Sequence, residues 1–189
     1  MTDTKKRDKA ADGGLRTTDL FGGFVGNPAD VVLTGNRLAA DIVNHFQPTG
    51  RILDPCKGEG AFLQHMPGAE WCEIREGRDF FGWETPVDWI VSNPPYSIFL
   101  DWLKHSMSIA PDIVYLIPLF KIWQSEKVMK TIREWGGVRE TLIVGSGRKI
   151  GFPTGFSIGA VHFQRGWSGD MRVQWISSPN SDSANRQFT

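Results

Sequence analysis

Arg51-Ile52-Leu53-Asp54-Pro55-Cys56-Lys57-Gly58-Glu59-Gly60 reads as a short apolar strand that ends on a carboxylate and turns through two glycines. Glycine adopts the left-handed backbone a tight turn needs and lets the main chain approach a ligand closely. On either side, apolar runs alternate with amphipathic stretches. Upstream, Leu38, Ile42, Val43 and Phe46 fall on one face of a predicted helix over 31–46. Downstream, the pattern predicts a helix over 61–66, closed by Pro67-Gly68, and strands over 69–74 and 87–92. A helix over 98–109, a strand over 112–119 and a helix over 125–135 follow, then strands over 141–145, 158–164 and 171–176. Strands alternating with helices predict an α/β fold with a mostly parallel sheet. The last strands have no helix between them and predict an antiparallel C-terminal edge hairpin.

Composition sets outer limits. The 189 residues favour one domain with tails: a disordered polar tail over 1–19, a folded domain over 20–177 and a frayed polar end over 178–189. No apolar run approaches the roughly 18 residues of a membrane span. Cys56 and Cys72 are too few for a disulfide framework, and neither has zinc-ligand spacing. The four histidines are scattered, so a reduced, cytoplasmic protein without a structural metal is expected. Net charge is zero but unevenly spread. Residues 1–115 hold 11 Lys and Arg against 16 Asp and Glu, whereas 116–189 hold 10 against 5. A basic C-terminal part beside an acidic half fits a polyanionic partner.

The second informative stretch, Asn93-Pro94-Pro95-Tyr96, directly follows the predicted strand over 87–92. In an open α/β sheet the carboxyl ends of the strands are where ligands bind. The same edge receives the turn from Asp54 to Gly60 and, 19 residues after Asp54, Glu73. A carboxylate there accepts both ribose hydroxyls of an adenosine-type ligand. Asp79 is placed to accept an adenine amino group, and Phe80 to pack on the ring. Singly, Glu73 also reads as an ion-paired surface residue, Asp79 as a turn cap and Phe80 as core; their order before Asn93 favours a site. The glycine turn lacks the third glycine of a dinucleotide fingerprint and the Lys-Ser/Thr of a P-loop. A nucleoside ligand without pyrophosphate fits better.

Together, Asp54-Pro55 to Gly60, Glu73, Asp79-Phe80 and Asn93 to Tyr96 resemble class I S-adenosylmethionine-dependent amino-methyltransferases. The resemblance spans roughly residues 22 to 165. It implies a Rossmann-like class I methyltransferase fold and S-adenosylmethionine as cofactor, bound by Thr34, Asp54, Pro55, Gly58, Gly60, Glu73, Asp79, Phe80 and Asn93. Phe21-Gly22-Gly23-Phe24 and Leu33-Thr34-Gly35 sit where the family places a contact to the methionine moiety, although Thr-Pro is usual where this chain has Thr34-Gly35.

Asn93, Pro94, Pro95 and Tyr96 are the expected catalytic residues. An exocyclic amine on adenine or cytosine is nearly planar, with its lone pair delocalised into the ring. Two acceptors on its N–H groups, Asn93 Oδ1 and the Pro94 carbonyl, would pull it toward tetrahedral geometry and free the lone pair. The prolines stiffen the backbone and remove competing donors. Tyr96 would stack on the base.

The stretch Gly151-Phe152-Pro153-Thr154-Gly155-Phe156 looks like the corresponding loop of TaqI-type, gamma-group DNA adenine methyltransferases. That resemblance implies a base flipped out of the duplex and stacked between Tyr96 and Phe152, with Phe156 the alternative. Arg148 and Lys149 read either as phosphate contacts or as a solvated pair. Most of the eight tryptophans read as core or edge packing, and Trp123 is the one to test for nucleic-acid contact. The expected reaction is methylation of adenine N6 in DNA. Alternatives are adenine in RNA, cytosine N4 in DNA, a glutamine side chain in protein, or an inactive partner subunit. Only about 25 residues follow Gln164, so sequence recognition must come from short loops, a homodimer or a separate specificity partner. The small size resembles phage-type enzymes.

Overall fold

The computed structural model describes residues 33–152 and 155–176. The chain folds as α1 (Asn36–Phe46), β1 (Ile52–Asp54), β2 (Glu70–Trp71), β3 (Trp89–Ser92), α2 (Phe99–Ile109), β4 (Asp112–Pro118), α3 (Glu126–Trp135), β5 (Gly136–Ser146), β6 (Ser157–Arg165) and β7 (Arg172–Trp175). The strands form one sheet in the order β2-β1-β3-β4-β6-β5-β7. All pairings are parallel except those of β6, which runs antiparallel between β4 and β5. The expected mixed, mostly parallel α/β sheet is therefore present. Its antiparallel hairpin, β5 and β6, carries β7 on its outer side.

β4 shows how the sequence builds this sheet. Ile113, Tyr115 and Ile117 belong to one core cluster, with Trp102, Leu103 and Met107 of α2. Val114 and Leu116 belong to the other, with Ala39, Ile42 and Val43 of α1. Side chains alternate across a strand. A strand covered on both faces therefore reads as a continuous apolar run. α3 starts where Ser125 accepts a hydrogen bond from the Val128 amide at 3.3 Å, an N-cap that satisfies an orphan donor.

Several element bounds differ from the expectation. The helix expected over 31–46 begins at Asn36, and residues 31 and 32 lie outside the described residues. No α-helix forms over 61–66; only a single 3-10 turn, Leu63–His65, is made. Gly60 at φ 81 and Gly68 at φ 83 bracket the segment. Too few residues lie between them for the costly first helical turn to propagate. The strand expected over 69–74 shrinks to Glu70–Trp71 because the Glu73 side chain caps a 3-10 turn, Ile74–Glu76. β5 is longer than 141–145: Gly136 and Gly137 open the strand instead of only ending the helix. A Cβ at Gly136 would collide with the Gln164 carbonyl. No helix among the described residues is long and apolar enough to cross a membrane.

The path of the chain positions the site. From β1 it moves to β2 on one side, then returns to β3 on the other. That reversal opens a crevice at the carboxyl ends of β1 and β3. Asp54 ends one strand and Asn93 follows the other.

Candidate active site

Asp54 is fully buried. Its Oδ1 accepts hydrogen bonds from the Cys56 amide at 3.2 Å and from Ser92 Oγ at 2.8 Å. Oδ2 is buried with no hydrogen-bond partner. Burial pushes the Asp54 pKa up to about 7 against the pull of those two donors, with nearby Glu73 adding to the rise and Lys57 opposing it. The Ser92 bond joins β1 to β3 immediately before Asn93, tying the two halves of the site together. Pro55 is buried behind the turn. Gly58 and Gly60 have φ of 52 and 81. A Cβ at either would find open space or only Leu33 at 3.8 Å, so glycine is needed for its backbone. No α-helix follows the turn to aim free amides at a ligand; the glycine turn supplies the backbone itself.

Glu73 Oε2 accepts from the Gly58 amide at 3.0 Å, and Oε1 from the Arg75 amide at 3.2 Å. The carboxylate thus bridges the ends of β1 and β2 and is buried there. Lys57 pairs with Glu76 at 2.7 Å, and its ammonium lies 3.8 Å from the Trp71 ring centre. The Arg78 guanidinium lies 3.9 Å from the same ring. Asp79 is exposed and caps a 3-10 turn by accepting from the Phe81 amide at 3.0 Å. Phe80 does not offer a face to a ligand. It is buried against Trp102 at 4.7 Å and His105 at 4.6 Å between ring centres. The partly exposed ring of that turn is Phe81.

Asn93 is held from both ends. Its Nδ2 donates to Thr34 Oγ1 at 3.3 Å, and its Oδ1 accepts from the Tyr96 hydroxyl at 2.8 Å. Thr34, whose motif match is loose, is therefore brought to the site; Phe21 to Phe24 lie outside the described residues. Pro94 is buried, and Pro95 holds extended backbone at φ −64, ψ 122. Tyr96 is half-buried, and its hydroxyl also lies 3.2 Å from the Leu116 carbonyl. Two residues that motif reading passed over belong here: Ser92, and Lys121, whose ammonium donates to the Tyr96 carbonyl at 2.8 Å. Both lie just past apolar runs, where a lone polar residue gives little sequence signal.

The two candidates for the second aromatic differ in exposure. Phe152 is buried in the core cluster of α1, β4 and β6, so its ring is not presented as a stacking face. Phe156 is 60% exposed and meets Phe120, 42% exposed, at 4.8 Å between ring centres. Arg148 and Lys149 are exposed on the 3-10 turn Gly147–Ile150. Trp123 is 56% exposed. It lines a cleft of about 420 Å³ with Met129, Ile132, Trp167 and Met171. None of Asp54, Glu73 or Asn93 lines that cleft. No group of three His, Cys, Asp or Glu among the described residues is arranged to hold a metal ion.

No protein-family model matches the sequence, and no curated protein matches it. Solved structures do match. One is a Listeria monocytogenes protein assigned to the class I S-adenosylmethionine-dependent methyltransferases, at TM-score 0.58 and 11% identity over 83% of this chain and 69% of that one. A second is a modification subunit assigned to a type I restriction enzyme of Vibrio vulnificus, at TM-score 0.55 and 12% identity over 82% and 49%. A third is a Pyrococcus horikoshii protein assigned as an RNA methyltransferase, at TM-score 0.50 and 12% identity over 69% and 83%. The chain spans about half the length of the Vibrio subunit. The likeness establishes the fold, which is the Rossmann-like class I methyltransferase fold.

Proposed function

We propose that this chain transfers a methyl group from S-adenosylmethionine to N6 of adenine in DNA, acting on a base turned out of the duplex. The observation that carries the reading is the Asn93 amide. It is held between Thr34 and Tyr96 at the carboxyl end of β3, one residue from the Ser92–Asp54 bond.

The residues around Asp54 fit the donor. Oδ2 is an unpartnered buried acceptor, which suits an ammonium such as that of the methionine moiety. Open space lies where a Cβ at Gly58 or Gly60 would point, Glu73 suits the ribose hydroxyls, and Asp79 suits the adenine amine. Once bound, the donor supplies an electrophilic methyl group on a sulfonium. Asn93 Oδ1, an amide oxygen that accepts from the Tyr96 hydroxyl, is an acceptor suited to an amine. Asn93 Oδ1 and the Pro94 carbonyl would accept the two N–H hydrogens of the target amine. The amine lone pair then localises and points out of the ring plane. Asn93 has no ionisable proton, so its part is positioning and stabilisation rather than general-base chemistry. Tyr96 supplies one ring beside the base. The exposed Phe156–Phe120 pair replaces Phe152 as the second aromatic surface, and Arg148 and Lys149 suit flanking phosphates.

Incubation with methyl-labelled S-adenosylmethionine and unmethylated DNA, RNA or protein tests this. Label in DNA that digests to N6-methyladenine is expected. Label as N4-methylcytosine, or in RNA or protein alone, refutes the substrate assignment. Binding partners are part of the proposal: sequence choice would come from the loops, a second copy or a separate specificity subunit.

A further inference from the structure

Lys121 has a place in this site that the motifs do not assign. It lies on the 3-10 turn Leu119–Ile122 that follows β4. The turn has a fixed base. Ile122 is buried, and Leu119 sits so close over Gly159 of β6 that a Cβ there would come within 2.6 Å of Leu119 Cδ2. From this base the ammonium reaches the Tyr96 carbonyl at 2.8 Å, in a half-buried setting. A charge-assisted bond of this kind is stronger than a neutral one.

The bond falls on a segment that contains two prolines. Pro94 and Pro95 have no amide hydrogens, so two backbone donors are missing where the acceptor carbonyl of the site must be held. The Tyr96 hydroxyl fixes the side-chain end of the segment on Asn93 and near Leu116. The Tyr96 carbonyl is fixed by Lys121. On the same turn Phe120 meets Phe156 at the exposed aromatic surface, with the Lys121 ammonium 5.6 Å from the Phe120 ring centre.

Resting on the methyl-transfer reading, we propose that Lys121 is a positioning residue for the transfer. It clamps the peptide after Tyr96, and so sets where Asn93, the Pro94 carbonyl and the Tyr96 ring stand relative to the target amine. A displacement of about 1 Å in such a site costs on the order of 100-fold in rate.

The test compares wild type with Lys121→Met, which keeps length and loses the donor, and with Lys121→Arg, which keeps a cationic donor. Each is measured for kcat, for nucleic-acid KM across a salt series and for donor Kd. Lys121→Met is expected to lower kcat by ~10- to 100-fold while donor Kd and the salt slope of KM stay at wild-type values. Lys121→Arg is expected to recover part of kcat. An unchanged kcat in Lys121→Met overturns the proposal. So does a raised KM whose salt slope falls by about one unit, the signature of a lost phosphate contact. If Lys121→Met does not fold, Lys121→Leu, which also lacks a donor, carries the same comparison. A wild-type protein that methylates nothing fails the parent reading and this one together, whereas an active wild type with a fully active Lys121→Met fails this one alone.

Discussion

On the proposed assignment of Asp54 to the donor's ammonium, donor binding depends on pH in a direction that burial of the carboxyl fixes. Burial holds its pKa at about 7 in the unliganded protein, so near neutrality the carboxyl is only half ionised. An ammonium on the ligand binds the ionised form and pulls that pKa down. The affinity should therefore rise with pH through 7 and level off above it. From the ionised fractions, the Asp54 contribution, read as Kd relative to Asp54→Asn, should be ~10-fold weaker at pH 6 than at pH 8. Binding at pH 6.5 should release ~0.8 proton from this group. Isothermal titration calorimetry in two buffers of different ionisation enthalpy reads both quantities. The ligand's own amine titrates in the same range, so Asp54→Asn is run in parallel to leave only the ligand's part. A wild-type to Asp54→Asn ratio of Kd that does not change between pH 6 and 8, or equal proton release by the two proteins, would refute the assignment of Asp54 to the donor's ammonium.

The same group has the opposite effect on the unliganded fold. Its folded-state pKa lies above the unfolded value of ~3.9, so its contribution to stability is full below about pH 4 and is lost as pH rises through 7. Asp54→Asn should then stabilise the unliganded protein at pH 8 more than at pH 5, by about 2–3 kcal/mol, as followed by urea unfolding; equal effects at both pH values would count against the buried charge. Asn93→Ala should lower kcat by at least ~100-fold with donor Kd within twofold, as read by filter binding and labelled transfer. Retained activity would remove Asn93 from the chemistry. Phe152→Ala should cost about 3–5 kcal/mol of stability through a core cavity, while Phe156→Ala stays within about 0.5 kcal/mol and raises nucleic-acid KM. A reversed pair of results would restore Phe152 as the stacking face. Tyr96→Phe keeps the ring and loses one hydrogen bond to Asn93, so kcat should fall by less than ~10-fold; Tyr96→Ala should also raise substrate KM.

How much of this was legible in the sequence depends on which force fixes each residue. Strand β4 announces itself because both its faces are buried, leaving Ile113 to Ile117 apolar without interruption. The carboxyl-end placement of Asp54, Glu73 and Asn93 follows from strand order in the chain, and a motif preserves that order. Burial of an aromatic ring leaves no such trace. Phe80 and Phe152 have the same local sequence look whether the ring faces a ligand or the core, and only the packing of Trp102 against one and of α1 against the other decides. Local propensity also misjudged the short elements. Residues 61–66 look helical, but the flanking glycine conformations leave them no length. Gly136 and Gly137 look like a helix stop, yet they begin a strand because β6 packs backbone to backbone against them. Lys121 was invisible for a different reason: its partner is a main-chain carbonyl 25 residues away, and no side-chain pattern records such a bond.

The place of β6 has a consequence for how the chain is made. β4 ends at Pro118, but its outer edge pairs with residues 158–164. A nascent chain emerging in order can set β1 to β4 side by side and still present the bare amide edge of its most apolar strand. That edge stays open until some forty further residues have been synthesised. An exposed apolar edge invites pairing with another chain, and closure over such a sequence separation is slow compared with local helix formation. The strands that flank the crevice at β1 and β3 are therefore complete in the chain early, while the partner that covers the edge of β4 comes late. Chains cut between β5 and β6 should be captured by chaperones or found in inclusion bodies even though every residue from Thr34 to Tyr96 is intact.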